Sequence, residues 1–259
     1  MRPPPVEAIA IVVPARDEEP LISECLAALA RARDQLADEL RLSSAKHREH
    51  GALGAPRAPQ APRVITIVVD DGSADGTAAC AARFAEVVVA TAPGGNVGRA
   101  RAIGIDRALA ELHSDPARVW IANTDADSAV PQHWLTEQLR LADAGADAVI
   151  GTVRPAFDDL SAEQIDAWYL AHPAAHTGAL IYGANLGVRA DSYLRVGGFA
   201  PLAEHEDVDL VARLRETGAH LVASNALEVV TSGRRFGRTP GGFAGYLRTQ
   251  LMPTEGVVR

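Results

Sequence analysis

The feature that most constrains this chain is a series of short, unbroken apolar runs, each closed by a polar cluster. The first is Ala8-Ile-Ala-Ile-Val-Val13, closed by Pro14. Val64-Ile-Thr-Ile-Val-Val69, Val87-Val-Val-Ala90 and Val119-Trp-Ile-Ala122 follow. Runs of this length suit strands buried on both faces, as in parallel sheets. Between them lie helical patterns, with Leu21, Ile22, Cys25, Leu26 and Leu29 on one face and a second helix over about 97–112. The alternation predicts an α/β fold with a mostly parallel central sheet flanked by helices and joined by right-handed crossovers.

Beyond Ser128 the pattern predicts a helix near 132–142, a strand at 148–153 and a helix near 162–170. An irregular stretch then runs to about 185, Gly197-Gly-Phe199 marks a tight turn, and a helix at 208–217 precedes a strand at 227–230. The Pro- and Ala-rich stretch at 41–63 reads as a helix extension fading into a flexible surface loop, with a partner-binding insertion as the alternative. No internal repeat divides the 259 residues, so a single domain is expected, with halves at about 1–127 and 128–259.

Composition limits the partners. At 47% hydrophobic residues the chain can bury a core. Its formal charge of −8, with scattered basic residues, argues against nucleic acid. A polyanionic ligand would need a local device such as a metal ion or a helix N-terminus. Cys25 and Cys80 fit neither a metal spacing nor a disulfide framework, which points to a reducing, cytoplasmic setting. No run reaches the roughly 18 apolar residues of a membrane span, so a soluble protein without stable membrane insertion is expected.

In open α/β sheets ligands sit at the carboxyl ends of the strands. Three polar clusters fall there: Pro14-Ala-Arg-Asp-Glu-Glu19, Asp70-Asp-Gly-Ser-Ala-Asp-Gly76 and Asn123-Thr-Asp-Ala-Asp127. Asp125 and Asp127 can converge on a hard cation, Mg²⁺ or Mn²⁺, and can equally serve as Asx-turn or helix-cap residues. Asp71-Gly-Ser-Ala-Asp-Gly76 has an EF-hand outline, but its twelfth position is Ala82, where a bidentate Glu is required, so calcium is excluded. Asp75-Gly76 read as turn residues and Thr77 as a helix cap. An acceptor-only carboxylate at Asp70 or Asp71 can bind a nucleobase N–H or ribose hydroxyls.

Taken in order, these residues resemble the nucleotide-sugar glycosyltransferases of the GT-A fold, the Rossmann-like nucleotide-diphospho-sugar transferases, and in particular the large family 2 group. The resemblance is carried by Val12-Val-Pro-Ala-Arg-Asp-Glu18, Val69-Asp-Asp-Gly-Ser-Ala-Asp-Gly-Thr77, Asn96-Val-Gly-Arg-Ala-Arg101 with Gly104, Asp125-Ala-Asp127, Gly197-Gly-Phe199 and Glu206-Asp-Val-Asp-Leu210. It implies a metal-dependent transfer of a sugar from a nucleotide-diphosphate sugar to an acceptor hydroxyl. The first half would bind the donor, through Pro14, Ala15, Arg16, Glu18, Asp70, Asp71, Arg101, Asp125 and Ala126. Asp125 and Asp127 would hold the metal.

The second half would bind the acceptor. The resemblance implies that Asp207, with Glu206, supplies the catalytic base, and that Gly183-Ala-Asn-Leu-Gly187 is an acceptor-side loop presenting Gly183 and Asn185. Trp168, Tyr169, His172 and His176 suit an acceptor subsite or a structural cluster. Asp207 also suits a helix N-terminal acid. The arginines of Thr231-Ser-Gly-Arg-Arg235, with Arg238, suit a loop over a diphosphate or a solvated basic loop. An inverting course is expected, with Asp207 as base. A retaining transferase of the same fold, a nucleotidyltransferase and a non-catalytic nucleotide-sugar binder stand as alternatives. The pattern names neither the acceptor nor an oligomeric state.

Overall fold

The computed structural model describes residues 3–49, 61–172, 180–234, 236–237 and 241–251. Strands β1 (Ala8–Ala15), β2 (Arg63–Asp70), β3 (Val87–Thr91) and β4 (Val119–Asn123) are the four apolar runs. They pair in parallel in the order β3-β2-β1-β4. Their connections are α1 (Ile22–Glu49), α2 (Thr77–Ala81) and α3 (Val97–Leu112).

Alternation along β1 builds both faces of the core, because successive side chains point to opposite sides of a strand. Ile9, Ile11 and Val13 pack with Ile22, Cys25, Leu26 and Leu29 of α1. Ala8, Ala10 and Val12 pack with Ala100, Ile105 and Ala108 of α3. The second face is lined by small residues, so α3 lies close to the sheet. A Cβ on Gly104 would come within 2.6 Å of Val12 and 2.8 Å of Val69.

The second half adds β5 (Ser128–Ala129), α4 (Trp134–Asp143), β6 (Ala148–Pro155), α5 (Ala162–Ala171), β7 (Leu186–Arg189), α6 (Ala190–Arg195), α7 (Glu206–Glu216), β8 (Leu221–Thr231) and α8 (Phe243–Gln250). The sheet continues as β4-β7-β6-β8-β5. Here β7 runs antiparallel to both β4 and β6, β8 runs parallel to β6, and β5 runs antiparallel to β8. The sheet is mostly parallel, and each antiparallel pairing involves a strand of this half.

Three expectations from the sequence need adjusting. β8 begins six residues before the expected 227 and carries an irregularity opposite Gly151–Val153. β7 and α6 occupy a region where the sequence suggested only loop and turn. Gly76, not Thr77, caps α2. Of the 41–63 stretch, α1 takes the part up to Glu49, as the helix-extension reading expects. Residues 50–60 lie outside the described residues, as do His176, Arg235 and Arg238. No helix among the described residues is long and apolar enough to cross a membrane.

Candidate active site

A cavity of about 770 Å³ opens at the carboxyl ends of β1, β2 and β4. Pro14, Ala15, Arg16, Glu18, Asp71, Arg101, Asp125, Ala126 and Asp127 line one side. Gly183, Glu206 and Asp207 line it from the second half. Segments separated by most of the chain's length therefore meet at one rim, where the parallel strands end.

The adjacent acids Asp70 and Asp71 point differently. Asp70 accepts a hydrogen bond from the backbone N–H of Ser73 at 3.0 Å and does not line the cavity. Asp71 is 5% exposed. Its Oδ2 accepts from the N–H of Asn96 at 3.0 Å, while its Oδ1 is buried with no hydrogen-bond partner. A buried acceptor lining a cavity is a site for a ligand donor group, since leaving it unpaired costs free energy. The turn that makes this possible needs glycine: Gly72 has φ +77°, and Gly94, with φ +94°, packs against it.

The loop after β1 is held from below. The backbone N–H of Glu18 donates to Thr77 Oγ1 at 2.7 Å, and that of Asp17 to Ser73 Oγ at 3.0 Å. Asp17 has φ +47° and His205, just before α7, has φ +62°. Non-glycine residues in this region are strained and tend to collect at functional sites. Among the described residues there are three: Asp17 in the loop after β1, His205 immediately before Glu206, and His113, which ends α3 and does not line the cavity.

Arg101 joins the two halves. Its side chain is 2% exposed, and Nε donates to Glu206 at 3.1 Å while Nη2 donates to Asp125 at 2.5 Å. Burial works against the charge, but Asp125 and Glu206 outweigh it and the guanidinium pKa is raised. Burial raises the Glu206 pKa, and Arg101 partly offsets that rise. Phe199 lies under the guanidinium, 5.9 Å from ring centre to Cζ. The turn at Gly197 and Gly198 (φ +82° and +72°) brings Phe199 there, and its N–H donates to the Tyr193 hydroxyl at 3.0 Å. Arg99 instead donates to the carbonyl of Gly94 and does not line the cavity.

Asp207 sits in the first turn of α7, where the helix dipole favours an anion. Its Oδ2 accepts from the N–H of Gly183 at 2.5 Å and its Oδ1 from the N–H of Val208 at 2.8 Å. A carboxylate so held retains lone pairs on both oxygens. Gly183 approaches closely because a Cβ there would lie 2.5 Å from Arg101 Nη2.

Asp125 and Asp127 both face the cavity. Burial first, and then the charge of Asp125, push the Asp127 pKa up to about 6, and Arg234 partly offsets the shift. Carboxylates raised in this way gain from a cation, and hard oxygens are the donors that Mg²⁺ or Mn²⁺ takes. Among the described residues no group of three His, Cys, Asp or Glu side chains gathers as a metal cage. A divalent ion on this pair would therefore draw its other ligands from water and phosphate oxygens.

Two residues proposed from the sequence for the acceptor do not line the cavity. Asn185 is buried, with its amide donating to the carbonyls of Thr152 and Leu227 and its oxygen accepting from Trp134 Nε1. Trp168 is buried, with its ring stacked on His172 at 3.6 Å and set edge-on to Phe243 and Tyr246. His172 closes that cluster through Nε2, 3.1 Å from the Tyr246 hydroxyl. The cavity wall on this side is formed instead by Tyr182, Phe243 and Tyr246, which sequence reasoning missed. The signal available was the aromatic pair at 243 and 246, on one face of a short helix.

Residues 57–183, just under half of the chain, match the family model described as Glycosyl transferase family 2. No curated protein matches the chain. Among solved structures, Staphylococcus aureus TarS 1–349 in complex with UDP-GlcNAc superposes with a TM-score of 0.59 at 13% identity, over 91% of this chain and 61% of that one. The mannosyltransferase PcManGT from Pyrobaculum calidifontis, in complex with GDP-Man and Mn²⁺, gives 0.56 at 20% identity, over 92% and 59%. GalNAc-T7 with UDP, GalNAc and Mn²⁺ gives 0.57 at 12% identity, over 88% and 44%. The chain thus spans less than two thirds of the length of each. The sheet order, the matched segment and these neighbours agree that the chain has the GT-A fold, and over residues 57–183 it is similar to the family 2 glycosyltransferases.

Proposed function

We propose that this chain transfers a sugar from a nucleotide-diphosphate sugar to an acceptor hydroxyl, with inversion. The observation that carries the reading is the shared cavity: Asp71, Asp125, Asp127 and Asp207, from three separate stretches of chain, all line it. UDP-GlcNAc and GDP-Man in the neighbours TarS and PcManGT support the donor class.

In this reading the free Oδ1 of Asp71 accepts a hydrogen bond from the base or ribose, and the 14–18 loop encloses the nucleoside. Mg²⁺ or Mn²⁺, held by Asp125 and Asp127, would supply neutralisation of the charge that develops on the diphosphate leaving group. Arg101 fixes Asp125 against Glu206, so the donor and acceptor halves keep their spacing. Asp207 takes the proton of the acceptor hydroxyl as its oxygen bonds to the anomeric carbon and the bond to the diphosphate breaks. A single in-line displacement inverts that carbon. The family match ends at residue 183, so the assignment of Asp207 rests on its position at the cavity and on the Glu206-Asp207 pattern.

A thermal-shift screen of UDP-, GDP- and dTDP-sugars with and without Mn²⁺ tests the donor class, because a ligand that binds the folded state raises its apparent stability. One diphosphate series should stabilise the protein in a Mn²⁺-dependent way, and Asp127→Ala should abolish that dependence. Stabilisation by none of the three series would overturn the reading.

A further inference from the structure

Arg234 already provides a cation at the Asp125–Asp127 pair. Its guanidinium grips Glu18 with two parallel hydrogen bonds, Nη1 to Oε2 at 2.9 Å and Nη2 to Oε1 at 2.6 Å. The same Nη2 lies 2.9 Å from Asp127 Oδ2. Glu18 is 5% exposed and Asp127 14% exposed at the side chain, against 32% for Arg234. The arginine therefore spans two nearly buried carboxylates from the solvent side. Asp127 Oδ1 is engaged as well, accepting from Ser128 Oγ at 3.3 Å and Thr231 Oγ1 at 3.2 Å. Both oxygens of Asp127 thus have donors.

We propose that Arg234 and a divalent metal compete for Asp127, so that the metal binds strongly only when Arg234 leaves this carboxylate. The inference rests on the metal-dependent reading above. A metal ion at coordination distance from Asp127 Oδ2 and a guanidinium 2.9 Å from the same oxygen would hold two positive charges together at a partly desolvated point, where repulsion is poorly screened. The release is local. The chain just before Arg234 is pinned, with Ser232 N–H donating to the Asp127 carbonyl at 3.0 Å and Gly233 N–H to Asp159 at 2.8 Å. The exchange therefore needs only rotation of the arginine side chain. A diphosphate offers the freed guanidinium an anionic partner of matching geometry. Arg234 is in this sense a positioning residue that couples metal binding to donor binding.

Binding of Mn²⁺ alone, read from the loss of the free Mn²⁺ signal by electron paramagnetic resonance, tests this without any turnover. Arg234→Gln should bind Mn²⁺ at least about fivefold more tightly than the wild type, the lower end of ordinary coupling between sites. Arg234→Lys, which keeps the charge, should stay close to the wild type. Adding Asp127→Asn to the Gln variant should remove the gain. Arg234→Gln binding no tighter than the wild type, or a gain that survives Asp127→Asn, overturns the proposal. Repeating the titration with UDP or GDP present separates the two levels. If the wild type takes up Mn²⁺ with nucleotide and Arg234→Gln shows no gain without it, only the competition fails. If no form binds Mn²⁺ under any of these conditions, metal dependence fails and the competition with it.

Discussion

Arg101 Nε and Glu206 Oε1 form an ion pair 3.1 Å apart whose side chains are 2% and 6% exposed. Such a pair contributes little net stability when intact, because desolvation offsets attraction, but losing one partner strands the other. Arg101→Ala would strand Glu206 and Asp125 together. It should lower unfolding free energy by about 3–5 kcal/mol, measured by urea denaturation. Replacing both members with apolar residues (Arg101→Met with Glu206→Leu) should recover most of that stability while leaving turnover abolished. Retained turnover in the double variant would show that the pair does not organise the site.

Asp70 and Asp71 are neighbours with different tasks. Asp71→Ala removes the buried acceptor that faces the cavity and should weaken nucleotide binding by on the order of 1–3 kcal/mol, roughly 5- to 150-fold in Kd. Asp70→Ala removes only the turn contact to Ser73, and should leave nucleotide affinity near the wild-type value. Calorimetric titration with UDP and GDP distinguishes them.

Asp127 makes folding stability fall with rising pH, because burial and the charge of Asp125 outweigh its ion pair with Arg234. Its folded-state pKa is pushed up from 3.8 to about 6, by burial first and then by Asp125. The folded chain therefore binds this proton more tightly than the unfolded chain, and stability is lost as the pH climbs between these two values. In the metal-free protein Asp127→Asn should raise Tm at pH 7.5 by about 2–4 °C, the shift that roughly 1 kcal/mol gives in a domain of this size. The gain should shrink at pH 4, where the native carboxyl is already protonated. Melting curves of both proteins at the two pH values check this.

The first half of the sheet was legible because each strand is a continuous apolar run bounded by polar residues, and each run became a parallel strand. Pro14, Ala15, Arg16, Glu18, Asp71, Asp125 and Ala126 line the cavity because they stand just past the ends of those runs, whereas Asp70, in the same position, does not. β7 was not legible. Its sequence, Leu-Gly-Val-Arg, has no run of apolar residues, and Arg189 reads as a surface residue. In the structure that arginine is buried, with its guanidinium donating to the carbonyls of Pro4, Ala117 and Ala142. Only tertiary contacts from distant chain segments make such a burial favourable, so no local pattern announces it.

The same limit applies to the acceptor side. Asn185 and Trp168 are residue types that bind sugars, yet each is occupied by the framework, Asn185 by Trp134 and two carbonyls and Trp168 by its aromatic neighbours. Residue type shows what a side chain can do. Which way it faces depends on β6, β8 and α8, whose positions follow from long-range packing.

The central claim is that this cavity is a sugar-transfer site with Asp207 at its reacting end. The most direct measurement is the release of nucleoside diphosphate from the stabilising donor by Asp207→Asn, alongside the variant's affinity for that donor. The account predicts that kcat falls roughly 10²–10⁴-fold, as expected for loss of a general base, while donor Kd is unchanged. Wild-type turnover by Asp207→Asn would contradict it.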